Sequence, residues 1–252
     1  MYRRIHCADV GVEGRVVIEA GEAAPEITLR PIKKSDIDFL LEQYSRKAAH
    51  FVRSREEMEI LLGTPPIDSG PARNFIVLKG GEPAGYAFTH WHRRRGQAYV
   101  RERAGEPWAV IEGLRRFARE RGLKGIGMAF GAWEEDMVEE LERRGIPIGW
   151  HHGGGTVKIL NPWRFLDKIR PLLAARVGEE AAREIKVEGS VDDLTVRLGE
   201  ESLRVKGQAI AQLFFGTPGR EERSWFPARG RLREVLERGL PVARPLYELN
   251  YV

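Results

Sequence analysis

Apolar residues along the chain change their period several times, and each change marks an element. In "EITLRPI", residues 26–32, apolar and polar positions alternate as in a strand. After Ser35, the residues Ile37, Leu40, Leu41 and Tyr44 recur at helical spacing. Ser54-x-x-Glu57 is a capping box for a second helix carrying Met58, Leu61 and Leu62 and ended by Gly63. "TPPIDSGPAR" then reads as a loop. "NFIVL" and "PAGYAFTHWH" read as strands joined by the hairpin turn Lys79-Gly80-Gly81-Glu82, and "QAYVRER" as a third strand. Pro107 opens a helix with Trp108, Ile111, Leu114 and Ala118 on one face and Gly122 past its end. "GIGMAF" is a strand, "EEDMVEELERRG" a helix, and "TVKIL", after "GGG", a last strand. Residues 1–26 are short on pattern and read as an extended lead-in or linker.

From "NPWRFLDKIRPLL" onward the character changes. A helix with Phe165, Leu166, Ile169 and Leu172 precedes three short strands, "EIKVEG", "DLTVRLG" and "SLRVKG". An apolar helix "QAIAQLFFG", an amphipathic helix "GRLREVLERG" and the tail "PLYELNYV" follow. The pattern predicts an α+β protein of two domains, residues 27–160 and 161–252, with no internal repeat and no low-complexity tract.

Composition narrows the class. The chain has 252 residues, 42% hydrophobic and 31% charged, enough for a core in each domain. No run of 18 apolar residues is present, so no segment is expected to span a membrane. "MYRRIHCADVGVEG" has no apolar h-region, and the one cysteine, Cys7, fits a reducing cytoplasm. The net charge is +4, from 32 Arg, 9 Lys and 37 acids. Stretches such as "RERAGEPW" and "EELERRG" alternate in sign, which predicts a solvated, ion-paired surface and argues against a nucleic-acid partner.

Arg93-x-x-Gly96-x-Ala98 satisfies [RQ]-x-x-G-x-[GA], the fingerprint of the loop that holds the pyrophosphate of acetyl-CoA in GCN5-related N-acetyltransferases. The order of strand, two helices, three antiparallel strands, helix, strand, helix and strand is the layout of that fold. In it the pyrophosphate loop comes immediately before the long helix, where helix N–H groups and the dipole favour an anion. "RRRGQA" instead precedes "QAYVRER" and reads as an Arg-rich hairpin turn. The position before the helix is filled by Arg101-Glu102-Arg103-Ala104-Gly105-Glu106-Pro107, in which Pro107 has no N–H and Glu106 brings a carboxylate to the positive end. That stretch is expected to be a degenerate loop.

The segment "IKKSDIDFLLEQYSRKAAHFVRSREEMEILLG", with "PAGYAF" and "YVRERAG", resembles the second acetyltransferase-like domain of bacterial enzymes related to the enhanced intracellular survival protein. "ILNPWRFL", "GQAIAQLFFG" and the terminal "LNYV" resemble their C-terminal sterol-carrier-like (SCP2-like) domain. The likeness covers about nine tenths of the chain. It implies a mixed sheet flanked by helices, followed by a smaller α+β domain, and acetyl-CoA as cosubstrate for transfer to a primary amine of a small molecule or a protein. It also implies a first acetyltransferase domain upstream, or a homo-oligomer, to supply the active site. There the chain's terminal carboxylate, here that of Val252, would serve as general base.

Other candidates carry less. His90 and His92 share a strand face and His151-His152 adjoin "GGG", but no ligand set converges, so no metal is expected. Tyr86, Tyr99 and Tyr247 are proton donors in type only. The Trp residues at 91, 108, 133, 150, 163 and 225 are expected to pack in the core or between domains. Helix 208–215 is read as packed on a sheet in preference to lining a lipid tunnel. Two readings of function remain: a part or short relative of an N-acetyltransferase without an intact cofactor loop, and a non-catalytic binding or assembly module of the same fold.

Overall fold

The computed structural model describes residues 7–63, 73–92, 97–152, 156–216 and 227–243. The chain begins with β1 (Ala8–Asp9), β2 (Val12–Glu19) and β3 (Ile27–Pro31), then α1 (Ile37–Ser45) and α2 (Arg55–Gly63). Next come β4 (Arg73–Lys79), β5 (Glu82–His92), β6 (Gln97–Gly105), α3 (Pro107–Glu120), β7 (Gly125–Gly131), α4 (Glu135–Arg143), β8 (Gly149–His152) and β9 (Thr156–Val157). The last third holds α5 (Pro162–Val177), α6 (Glu179–Glu184), β10 (Lys186–Gly189), β11 (Asp193–Leu198), β12 (Glu201–Lys206), α7 (Gln208–Phe215) and α8 (Gly230–Gly239). Two compact units result, one built on Gly14–Trp150 and the other on the segment from His151 together with the stretch ending at Glu13.

A seven-stranded mixed sheet, ordered β3-β4-β5-β6-β7-β2-β8, organises the first unit. β3 to β6 pair antiparallel, while β6 and β7 run parallel. Alternation along β4 and β5 sends Phe75, Val77 and Ala87 to one face, against α3 residues Val110, Ile111, Leu114 and Phe117. Ile76, Tyr86 and Phe88 go to the other face, against Ile37, Leu40 and Met58 of α1 and α2. Such two-sided burial is what a period-2 strand between helices produces. The β4–β5 turn needs two left-handed residues, which Gly80 (φ 60°) and Gly81 (φ 93°) supply. The capping box forms as expected, with the Ser54 N–H donating to Glu57 at 2.7 Å and the Glu57 N–H to Ser54 Oγ at 3.2 Å.

Two sequence expectations fail in this unit. Residues 1–26 are not merely a lead-in, because β2 sits in the large sheet between β7 and β8, with Val16 and Ile18 in the core. "TVKIL" is not the last strand of that sheet, whose edge is β8. Thr156 and Val157 pair instead with Asp9 and Ala8 in a two-stranded ribbon. The reason is local: Val16-Val17-Ile18 is a run of β-branched residues of which Val16 and Ile18 are buried, whereas the strand at Thr156–Val157 ends before Lys158 and the chain runs on into the Asn161 cap of α5.

In the second unit β10, β11 and β12 form an antiparallel meander. Leu194, Val196, Leu203 and Val205 from it share a core with Leu166, Ile169 and Leu173 of α5, Ile210, Leu213 and Phe214 of α7, and Leu232 and Leu236 of α8. Helix 208–215 thus packs on the sheet. Glu201 caps α8, accepting from the N–H groups of Arg231 at 3.2 Å and Leu232 at 2.5 Å. The short α6 had no counterpart in the sequence reading. No helix among the described residues is long and apolar enough to cross a membrane.

Candidate functional site

In the stretch 101–107, expected as a degenerate cofactor loop, residues 101–103 are strand as "QAYVRER" predicts, and the strand continues to Gly105. β6 runs to Gly105 and α3 starts at Pro107, so a single residue, Glu106, connects them. Two facing glycines make this sharp junction possible. Gly85 of β5 pairs with Gly105, whose φ is +115°, and a Cβ on Gly105 would lie 2.3 Å from the Gly85 Cα and 2.4 Å from the Ala84 carbonyl oxygen. That close approach brings the Glu106 N–H to the Ala84 carbonyl at 2.9 Å. The Glu106 carboxylate turns to Lys79, whose Nζ donates to it at 2.8 and 3.0 Å. Lys79 also stands 5.0 Å from the ring centre of Trp108.

Before this junction, β6 has a bulge where the β5 register shifts between Phe88 and Thr89. Beyond it, Glu102 and Arg103 point to opposite faces and both are buried, at 1% and 6% exposure. Within "RERAGEPW", Glu102 and Arg103 are therefore not on a solvated surface, whereas Glu106 is exposed and ion-paired. Each charge is met by a partner distant in sequence. The Arg53 guanidinium forks onto Glu102 with distances of 2.9 and 2.7 Å, and Tyr86 Oη donates to the same carboxylate at 3.0 Å. Arg53 lies 3.9 Å from the ring centre of Tyr44. Burial works against the Arg53 charge, but the bonds and charge of Glu102 outweigh it and raise its pKa. On the other face Arg103 Nη2 donates to Glu134 at 3.1 Å, and Lys47 Nζ stands 3.9 Å from the same carboxylate. Burial disfavours a charged Glu134, yet Arg103, Lys47 and the Gly131 N–H together hold its pKa below the ordinary carboxylate value.

A cleft of about 710 Å³ opens over this region. Its walls include Lys47 after α1, Lys79 and Glu82 at the β4–β5 turn, Arg103 and Glu106 at the β6–α3 junction, and Glu134 before α4. This constellation went unread in the sequence. The signal available was the charge run Arg101-Glu102-Arg103 inside a strand, between Val100 and Ala104.

The remaining candidates do not converge here. Arg93 and Gly96 of the fingerprint, the side chains of His92 and His152, Tyr247, Trp225 and Val252 lie outside the described residues, while Ala98 is a buried strand residue. His90 stacks on Tyr99 at 6.0 Å between ring centres, and Tyr99 Oη donates to Gln97 at 2.8 Å. Tyr86 is committed to Glu102. His151 is exposed. Trp91 and Trp108 are partly buried and Trp133 packs on Gly131, but Trp150 and Trp163 are half-exposed, contrary to the packing expected of them. Among the described residues no group of three His, Cys, Asp or Glu side chains is arranged to hold a metal ion.

No protein-family model matches the chain, and no curated protein does. Solved structures do match it. The GCN5-related N-acetyltransferase from Anabaena variabilis is 13% identical over 97% of this chain and 68% of its own, with a TM-score of 0.53. That from Kribbella flavida is 15% identical over 97% and 67%, at 0.54. A conserved protein from Enterococcus faecalis described as a probable N-acyltransferase is 11% identical over 96% and 67%, at 0.55. At such identities the likeness is one of architecture, and the chain has the fold of the GCN5-related N-acetyltransferases.

Proposed function

We propose that this chain is part, or a short relative, of an acetyl-CoA-dependent N-acetyltransferase acting on a primary amine, and that its own acetyltransferase-like domain does not hold the cofactor. The observation that carries the reading is the single-residue junction at Glu106. A pyrophosphate needs several backbone N–H groups turned toward it at a helix start. At this junction the Glu106 N–H is bonded to Ala84 and Pro107 has none. The carboxylate of Glu106 is bonded to Lys79 beside the helix start, and Gly105 is packed on Gly85. The residues present do not fit the group.

The fold likeness to N-acetyltransferases and the motifs shared with enzymes related to the enhanced intracellular survival protein support the enzyme assignment. In this reading the second unit is the SCP2-like domain and the setting is cytoplasmic. The Val252 carboxylate is the general base of an active site that another domain or subunit supplies. A non-catalytic assembly module is the second reading, favoured by the buried Arg103–Glu134 and Arg53–Glu102 pairs, which tie β6 to its neighbours in the manner of a structural core. Thiol release from acetyl-CoA, followed with the 252-residue chain and a panel of aliphatic, aromatic and lysyl amines, should not rise above the enzyme-free rate. Amine-dependent turnover by the chain alone would refute the loss of the site.

A further inference from the structure

The second unit leaves apolar side chains in solvent at the start of α5. Asn161 caps this helix, accepting from the Arg164 N–H at 2.9 Å. The residue before such a cap commonly packs onto the fourth helical residue, here Phe165. The Phe165 ring is taken instead by Phe214 and Phe215, at 5.2 and 5.3 Å between centres. Leu160 is left 75% exposed, and Trp163 is 42% exposed. A groove of about 410 Å³ lies beside Leu160, floored by Val157, Ile159, Phe165 and Phe215. Its rim is basic. Arg164 and Lys168, one turn apart, are both exposed, and among the described residues neither side chain is bonded to a carboxylate. The acids near them are already engaged, Asp192 by Lys158 at 3.0 Å and Asp167 by Arg170 at 3.0 Å. Residues 156–170 carry four basic side chains and one acidic.

Exposed apolar side chains beside uncompensated cations suit a partner that is anionic at its surface and apolar beneath. We infer that the start of α5 docks the second unit on an anionic bilayer surface. Leu160 enters the acyl boundary, and Trp163 lies at headgroup level with its ring apolar on one side and wet on the other. Arg164 and Lys168 reach lipid phosphates while their stems rest on apolar ground. Leu160 stands out from the surface while the groove beside it is hollow, and a fluid acyl boundary accepts both without a matched shape. The chain docks rather than crosses, since no described helix is long and apolar enough to span. The inference goes beyond the reading of the first unit and holds whether or not that unit binds acetyl-CoA.

The experiment is flotation of the 252-residue chain with phosphatidylglycerol vesicles and, separately, with phosphatidylcholine vesicles. The wild type should float with the first and not with the second, and added salt should release it by screening. Arg164→Gln/Lys168→Gln should weaken binding roughly thirtyfold, the worth of two basic residues at such a surface. Leu160→Ser/Trp163→Ser should weaken it roughly tenfold or more. All four side chains are exposed, so both variants should keep the wild-type urea midpoint, which checks that they fold. Arg197→Gln/Lys206→Gln removes the same charge from the outward face of the β-meander, opposite the core that α5 shares, and should bind like wild type. A wild type that does not float, or that floats equally with phosphatidylcholine, overturns the inference. So does either α5 variant binding as well as wild type, or the β-meander variant losing as much as the α5 ones. A wild type that stays off vesicles and sediments as a dimer, split by Leu160→Ser/Trp163→Ser, overturns it in favour of a second copy on the same patch.

Discussion

Arg53→Met should destabilise the acetyltransferase-like unit by about 3–5 kcal/mol, because it strands the Glu102 carboxylate in the core. The side chains of Arg53 and Glu102 are 2% and 0% exposed, so no water can replace the lost guanidinium. Tyr86 offers the carboxylate one hydrogen bond at 3.0 Å, which does not balance a charge. The stacking of Arg53 on Tyr44 is lost as well. Arg53→Met/Glu102→Leu removes both charges and should recover most of the loss, since apolar replacements for a buried pair are often neutral. Urea unfolding of the three proteins, followed together with hydrogen exchange of the β5 and β6 amides, reads this out. A single variant within about 0.5 kcal/mol of wild type would mean that the pair is hydrated and the core assignment is wrong.

Gly105→Ala should cost about 3 kcal/mol, from strain at φ +115° and from the backbone shift that its Cβ forces. The contacts at 2.3 and 2.4 Å are to Gly85 Cα and the Ala84 carbonyl oxygen, neither of which can rotate away. The matched comparison is Gly122→Ala, where φ is +64° and nothing lies within 4 Å of the new methyl. That change should cost only about 1 kcal/mol. Equal midpoints in urea for the two variants would show that Gly105 is not held against Gly85, and the case for a looplike junction would reopen.

The parts of the fold that were legible in the sequence are those whose period is long and whose ends are signed. α1, α2 and α3 carry helical stripes with a capping box, Pro107 or Gly122 at an end, and the β4–β5 hairpin has its two glycines. β2 is hard to read because Val16-Val17-Ile18 is a short apolar run without polar alternation and Glu13 and Gly14 interrupt its start, although burial alternates along it. α6, six residues of "EEAARE", has too few turns to show a stripe. The candidate site was hidden for another reason. Alternating charges in "RER" look like surface, and what buries them comes from elsewhere: Arg53 is 49 residues from Glu102, and Glu134 is 31 from Arg103. A strand residue's charge is legible locally, whereas the partner that makes burial tolerable is a property of the topology. Residues 101–107 take the place of the cofactor loop by their position before the long helix, although "QAYVRER" already reads as strand to Arg103. Gly105 is used instead for close strand packing, and Pro107 for the first turn of α3.

The most direct test of the central claim is calorimetric titration of acetyl-CoA into the 252-residue chain. The blocked junction at Glu106 predicts affinity no better than about a millimolar, roughly −4 kcal/mol, with no saturable heat at micromolar protein. Saturable micromolar binding, weakened by Gly105→Ala in a variant that still folds, would contradict the account and place a working cofactor site at the start of α3.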